Sequence, residues 1–488
     1  LRAKAKRKIA PPVISARLNS HFALEAQADG SLAACMEGYS VRLGNFSAAA
    51  IDRARDLHTR LALDSFSKGN KVAKEVDLLV RRLAERGLLE YRLGHLRADE
   101  DQVVIEPQMP DYWPRTAKLA DGDTIVLSRF AYLRRRGNDM VLESPRAGAL
   151  FRISDPSIAA ALTILSTPQK ISRFRKQERF PGLTLLGLLL DCQIVFRIDA
   201  AQADVLRQAE GDDSLVTWDF HDLLFHTHST EGRHANPIGG LYPYAGAIAP
   251  PPALRTRWPG EPISLGKLSV EPAATTSPVA KLLRERHSVR DFDAGKPITL
   301  PELSRLLDGA ARVQSRWKND IDLGDGSLAI EYTSRPYPGA GSAYELELYL
   351  TAGNCEGLAR GFYHYDADRH ALVAIDARPQ AIEAMLAAAE FAMDAAGPPQ
   401  ILITIAARFP RVSWKYSAIA YSLILRDVGA LLQTLYLMAT DLKLGGCAVG
   451  ISNIELFAKM TGIDFHVEGP VGQFALGRGI GQAATGWP

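Results

Sequence analysis

The segment Tyr421 to Leu442 is apolar on nearly every helical face, and it constrains this chain more than any other stretch. A helix of that kind is buried, in a domain core or at a subunit contact. Its neighbours in sequence must therefore build a shell around it. Two strand runs are suited to that, Glu345-Leu346-Glu347-Leu348-Tyr349-Leu350 and Gln400-Ile401-Leu402-Ile403-Thr404-Ile405, with a second helical run at Ala381 to Ala395 between them. Helices and strands alternate through residues 271–488, which reads as one α+β domain.

The whole chain, at 488 residues, is too long for one ordinary domain, and two or three are expected. Its formal net charge of +2 predicts no strong affinity for nucleic acid or an anionic membrane. Since no uninterrupted apolar run approaches about 18 residues, no membrane span is expected. The four cysteines, Cys35, Cys192, Cys355 and Cys447, are scattered and form no CxxC pair, so neither a zinc site nor a disulfide framework is supported. That usage fits a reducing cytoplasm. The basic start, Leu1 to Lys8, lacks an apolar core and reads as a disordered end rather than a secretory signal. Because the first residue is not Met, the true start is expected to be missing or trimmed.

The first 205 residues carry one order of elements twice. In residues 1–105, short alternating stretches such as Phe22 to Ala26 and Tyr39 to Leu43 read as strands, followed by helical runs at Ala48 to Leu61 and Val72 to Arg86, then a strand at Leu88 to Leu93. In residues 106–205, strands at Thr124 to Leu127, Tyr132 to Arg134 and Ala149 to Ile153 precede a helix capped by Ser154-Asp155-Pro156-Ser157. A second helix, Leu183 to Leu190, and a closing strand, Gln193 to Ile198, complete the copy. The pattern is that of a duplicated winged-helix-like unit. Such units bind DNA or take an extended peptide as an added strand. The basic runs at Arg134-Arg135-Arg136 and Lys170 to Arg179 are the only support for DNA, and a solvated face explains them as well.

Residues 206–270 read as a joint and strap. The cluster Trp218 to Ser229 holds three histidines with Asp219 and Asp222, but the spacing fits no metal-ligand grammar, and no metal is expected. Pro237 to Pro262 is rich in Pro and Gly and reads as an extended strap.

Chemistry concentrates in the last domain. If the chain extends after the helical run at Val279 to Leu283, then Arg286, Ser288 and Arg290 share one side, with His287 between the first two. Two guanidinium forks and a hydroxyl suit a phosphate dianion, although paired arginines also occur on plain solvated faces. Pro338-Gly339-Ala340-Gly341 is a small-residue turn that lets backbone approach a flat ligand, or is simply a turn. Leu444 to Gly450, with Ala448, Val449 and Gly450 at its end, reads as a glycine-rich loop whose N–H groups face a ring. Arg478, in Gly477-Arg478-Gly479, returns a third cation to the phosphate. Lys415-Tyr416 precedes the long apolar helix.

Taken in order, these motifs resemble the FMN-dependent nitroreductase-like fold over about 275–488, with a mainly antiparallel sheet wrapped by helices. More narrowly, the set is similar to the SagB-type dehydrogenases, the azoline oxidases of ribosomal peptide biosynthesis, which include the cyanobactin thiazoline oxidases. The resemblance implies FMN held by Arg286, His287, Ser288, Arg290, Pro338, Gly339, Ala340, Gly341, Ala448, Val449, Gly450 and Arg478. It implies that Lys415 and Tyr416 are catalytic, that the paired N-terminal units are peptide clamps, and that the protein is a homodimer, with the apolar helix as a candidate for its core. An azoline peptide as substrate, a cyclodehydratase as partner and oxygen as electron acceptor follow from the same likeness. The chemistry is coherent: aromatising an azoline removes a hydride and a proton, and an ammonium beside a phenol favours the phenolate that takes the proton. The chain departs from its relatives at Gly339, often Ser, at Glu345, often Pro, and at His287, often Arg. Two alternatives stand beside this expectation: an NAD(P)H-dependent nitro- or quinone reductase, and a peptide- or DNA-binding scaffold with an inert flavin fold.

Overall fold

The computed structural model describes residues 12–480 apart from 37–38, 67–68, 95–100, 177–181, 199–209, 211, 235–237, 251, 255–258, 260, 265–276 and 323–326. The start at 1–8, the end of the basic run at 177–179 and several parts of the strap lie outside the described residues. The chain forms two compact units, 1–236 and 237–488.

In the first unit the element order repeats. Strand Val13–Leu18 is followed by the meander Ala23–Ala26, Leu32–Met36 and Tyr39–Gly44, the helix Ala48–Ala54, a two-residue strand at Leu61–Ala62, the helix Lys71–Glu85 and the strand Leu89–Gly94. The second copy runs Thr124–Leu127, then Tyr132–Arg136, Asp139–Glu143 and Ala149–Ile153, the helix Pro156–Thr163, a two-residue strand at Gln169–Lys170, the helix Gly182–Asp191 and the strand Val195–Arg197. In each copy the first strand lies between the two-residue strand and the last one, always antiparallel. Local signals account for the boundaries. Asn70 accepts from the Ala73 N–H and Asp155 from the Ser157 N–H, capping two helices. Gly87, at φ +67°, takes the left-handed position where the longer helix ends. The expected helix Ala48 to Leu61 is shorter than its apolar pattern: it ends at Ala54, tightens into a 3-10 turn, and reaches strand by Leu61.

The second unit is built on a six-stranded antiparallel sheet. Its order is Ala371–Ile375, Gly361–Asp366, Leu346–Ala352, Ile401–Arg408, Glu468–Gly477 and Gly445–Val449. Ile401, Leu402, Ile403 and Ile405 are completely buried, which explains a near-continuous apolar run in a central strand with both faces covered. The helix Pro379–Met393 packs on one face through Ile382, Met385, Leu386, Ala389 and Met393. The long helix Ala420–Asp441 buries Tyr421, Ile424, Val428, Leu431 and Leu435. Helix Leu300–Ala311 approaches it closely: a Cβ on Gly309 would lie 2.4 Å from Met438.

By length and composition Ala420–Asp441 is the one helix among the described residues long and apolar enough to cross a membrane. Here Asp427 and Tyr436, both on that helix, bond to backbone of the same unit. Residues Gly445 to Val449, read from the sequence as a loop, form the edge strand of the sheet instead. The four cysteines are free thiols.

Candidate active site

Helix Pro278–Glu285 ends at Arg286, which turns to ψ 123°, so the chain leaves extended. It then runs beside the edge strand. The Val289 N–H donates to the Gly446 carbonyl at 2.9 Å, and Phe292 bridges to Gly479. Two glycines make this approach possible. A Cβ on Gly445 would meet Val289 at 2.7 Å, and one on Gly446 would meet Phe474 at 2.3 Å. The Gly-Gly pair is therefore explained by packing of protein on protein.

The tyrosine at position 436 gathers the expected phosphate grip. Its hydroxyl accepts from the Ala448 N–H at 2.8 Å and lies 2.8 Å from Ser288 Oγ. The Arg286 guanidinium sits 5.0 Å above its ring. Beside them the buried Cys447 thiol is pushed up by burial, against the opposing pull of the Arg290 charge and of Tyr436 and Ser288. Arg286, Ser288, Arg290 and Ala448 thus converge. His287 bonds back to the Glu285 carbonyl at 3.0 Å and, with Val289, Tyr436, Gly445 and Gly446, lines a cavity of about 290 Å³. Val449 packs in the core, while a Cβ at Gly450 would enter open space.

Arg478 differs from its expected place. Its Nη2 donates to both Glu302 oxygens, at 2.9 and 2.8 Å, so the third cation already has a carboxylate partner. Burial raises the Glu302 carboxyl, but bonds from Arg478 and Thr299 outweigh it and hold the group below its ordinary range. Glu302 also completes a capping box with Thr299 at the start of helix Leu300–Ala311.

The small-residue turn lies against another part of the long helix. Gly341 sits at φ +52°, Ser342 at +57° and Tyr344 at +45°. Three departures into the left-handed region within four residues, two of them without glycine, mark a loop held under strain. What holds it is a set of cations on its carbonyls. Lys415 Nζ donates to the Gly341 carbonyl at 3.3 Å, Arg411 Nε to that of Ala343 at 2.9 Å, and Arg408 to that of Tyr344 at 3.5 Å. The Ala340 N–H donates to Asp427 Oδ2 at 2.7 Å. A Cβ on Gly341 would lie 2.5 Å from both Lys415 Nζ and Tyr416 Oη, so these two atoms meet within about 5 Å over the turn. Gly339 packs against the Tyr344 ring.

Both clusters touch the long helix, on opposite sides. Asp427 and Tyr436 are nine residues apart on the long helix, which separates them by about 13 Å. Sequence reasoning did not select Tyr436, Asp427 or Gln400. Gln400 staples three segments, accepting from the N–H groups of Ile298 and Arg478 and donating to the carbonyls of Asp293 and Lys296. The available signal for all three was a polar side chain inside a run otherwise apolar.

Comparison with known proteins follows the same division of the chain. The model of the nitroreductase family matches residues 283–478, and that of the cyanobactin oxidase ThcOx matches residues 125–235. A Methanocaldococcus jannaschii protein that carries the name nitroreductase is 32% identical over 169 residues, which cover 35% of this chain and 76% of that protein. This chain belongs to the nitroreductase family and is an oxidoreductase. Among solved structures, a nitroreductase from Anabaena variabilis is 25% identical with a TM-score of 0.31, covering 36% of this chain and 34% of that one, about a third of its length. The E. coli microcin synthetase McbBCD complex with truncated pro-MccB17 bound is 19% identical with a TM-score of 0.38, covering 54% of this chain and 96% of that one.

Proposed function

We propose that this chain is an FMN-dependent oxidase that converts thiazoline or oxazoline rings of a ribosomally made peptide into thiazoles or oxazoles. The observation that carries this reading is the convergence of Lys415 Nζ and Tyr416 Oη on the strained Gly341 turn. The residues present suit the cofactor: a hydroxyl and cations gathered at Tyr436, and a turn at Gly341 with no side chain. Arg286, Ser288 and Arg290 would hold the phosphate, with Ala448, Gly450 and the 338–341 turn nearer the ring. When bound, FMN supplies an acceptor for the hydride. Tyr416 takes the proton from the ring carbon that was the residue's α-carbon, and the Lys415 ammonium beside it favours the anionic form that accepts that proton. Lys415 also fixes the turn through the Gly341 carbonyl, so one residue positions both. Oxygen is the proposed final electron acceptor.

The duplicated element order and the ThcOx match support the first unit as a pair of winged-helix-like peptide clamps. A homodimer, a cyclodehydratase partner and a cytoplasmic setting belong to the same proposal. The test is a Lys415→Ala/Tyr416→Ala double variant that still binds FMN. Azole formation, read by mass as the two hydrogens lost per ring, should disappear. Wild-type oxidation by that variant would remove the pair from the mechanism. Family membership favours one second reading, a nitro- or quinone reductase, which rapid NADPH reduction of the bound flavin without peptide would support.

A further inference from the structure

Glu345 immediately precedes the sheet strand Leu346–Ala352, and the structure puts its carboxyl in an unusual place. The side chain is completely buried, and among the described residues neither oxygen receives a hydrogen bond from a donor on another residue. The group facing it is the carboxyl of Asp427, from the long helix, itself only 8% exposed. Asp427 is the residue whose Oδ2 takes the Ala340 N–H at 2.7 Å. Two carboxylates are both acceptors, and two like charges in a buried site repel strongly. A single proton between them turns repulsion into a charge-assisted hydrogen bond.

We propose that Glu345 and Asp427 share one proton, and that this proton-linked pair is the positioning element that clasps the Pro338–Tyr344 turn to the long helix, setting Gly341 beneath Lys415 and Tyr416. With the proton in place, Asp427 keeps an oxygen for Ala340 while Glu345, at the far end of the same turn, is tied to the helix through Asp427. Without it, the turn is anchored at both ends to groups that push apart. The other titratable groups around the pair are Arg335 and Tyr337 on the chain entering the turn, Tyr344 at its end and Glu347 on the strand. Arg335 is a cation that acts on Glu345, and it also lies 3.9 Å from Glu347. Burial, then the Asp427 charge, push the Glu345 carboxyl up to about 7, and burial raises Asp427 as well, so the proton is lost near neutrality.

The sign of the linkage is fixed. A carboxyl raised on folding binds its proton more tightly in the folded chain, so its contribution falls as pH rises from 4.5, its ordinary value, to about 7. An amide in either position replaces the shared proton with an N–H that does not titrate. The inference rests on the flavin reading only for what the turn does, not for the pair itself.

The experiment compares wild type, Glu345→Gln and Asp427→Asn from pH 5 to 8.5. Hydrogen exchange of the 338–344 segment, corrected for intrinsic rates, reads the clasp directly. Thermal unfolding reads the linkage, and FMN titration reads the consequence. Between about pH 4.5 and 7 the wild-type segment should lose protection with a one-proton slope, up to about tenfold per pH unit, and level off above that range. Both amide variants should keep protection across the range and melt higher than wild type at pH 8, though not at pH 5. FMN affinity should fall with pH in wild type and stay level in the variants. If FMN does not bind at all while exchange and melting behave as stated, the pair stands and the flavin reading fails. A wild-type profile that the variants reproduce, in protection and in melting, overturns the shared proton. If one variant does not fold, the other supplies the same comparison.

Discussion

Replacing Gly341 by alanine perturbs the proposed site with one methyl group, and the structure sets the size of the effect. Gly341 lies at φ +52°, where an L-residue with a Cβ costs about 1 kcal/mol relative to glycine. The new Cβ would stand 2.5 Å from Lys415 Nζ and from Tyr416 Oη. Carbon contacts settle near 3.5 Å, so each atom must retreat by about 1 Å. Lysine can do so by turning its flexible stem, but the Tyr416 ring must swing as a body. A misplacement of that size at reacting groups lowers rates by about 10²-fold. We therefore expect Gly341→Ala to lose about 1–2 kcal/mol in urea unfolding, to bind FMN through the grip at Tyr436, and to form azoles about a hundredfold more slowly. The assay is single-turnover oxidation of an azoline peptide followed by mass, alongside unfolding of the same preparation. A variant with the stability loss and an unchanged rate would refute the placement of Lys415 and Tyr416 at the reacting ring.

Two further outcomes test the scaffold. Tyr436→Phe removes the hydroxyl that meets Ser288 and accepts from Ala448, leaving a part-buried N–H without that partner. It should cost about 1–3 kcal/mol in denaturant unfolding and weaken FMN binding, whereas unchanged affinity would detach Tyr436 from the phosphate grip. Glu302 is held below its ordinary carboxyl range, so its contribution is complete above about pH 4.5 and fades as pH falls through the lowered value. Glu302→Gln should flatten that acid limb of the stability profile measured by thermal melting, and an unaltered limb would show that the Arg478 pair does not govern it.

Much of the second unit was legible because burial and periodicity agree there. The strand at Ile401–Arg408 and the helices Pro379–Met393 and Ala420–Asp441 fall within a few residues of their apolar patterns. The Gly445–Val449 strand was misread because its glycines suggested a loop. In the structure they are demanded by Val289 and Phe474 packing onto a strand. The capping chemistry at Asp155 was readable from four residues, since it is local. Tyr436, Asp427 and Gln400 were not readable as site residues, because their partners lie up to 148 residues away and a polar side chain in an apolar run does not say what it bonds. Arg478 shows the converse. Its position after a strand was clear, but its bond to Glu302 spans 176 residues and changes what the side chain is free to do. In the first unit the repeated order of elements was visible, whereas the two-residue strands at Leu61–Ala62 and Gln169–Lys170 are too short to leave a periodic signal.

The proposed cofactor rests first on the grip at Tyr436, where Arg286 and Ser288 gather. The most direct measurement is the visible absorption spectrum of the purified protein, before and after incubation with FMN. A yellow protein is expected, with bound-flavin bands that weaken in Ser288→Ala and Arg286→Ala. A folded protein that stays colourless after reconstitution with FMN would contradict it.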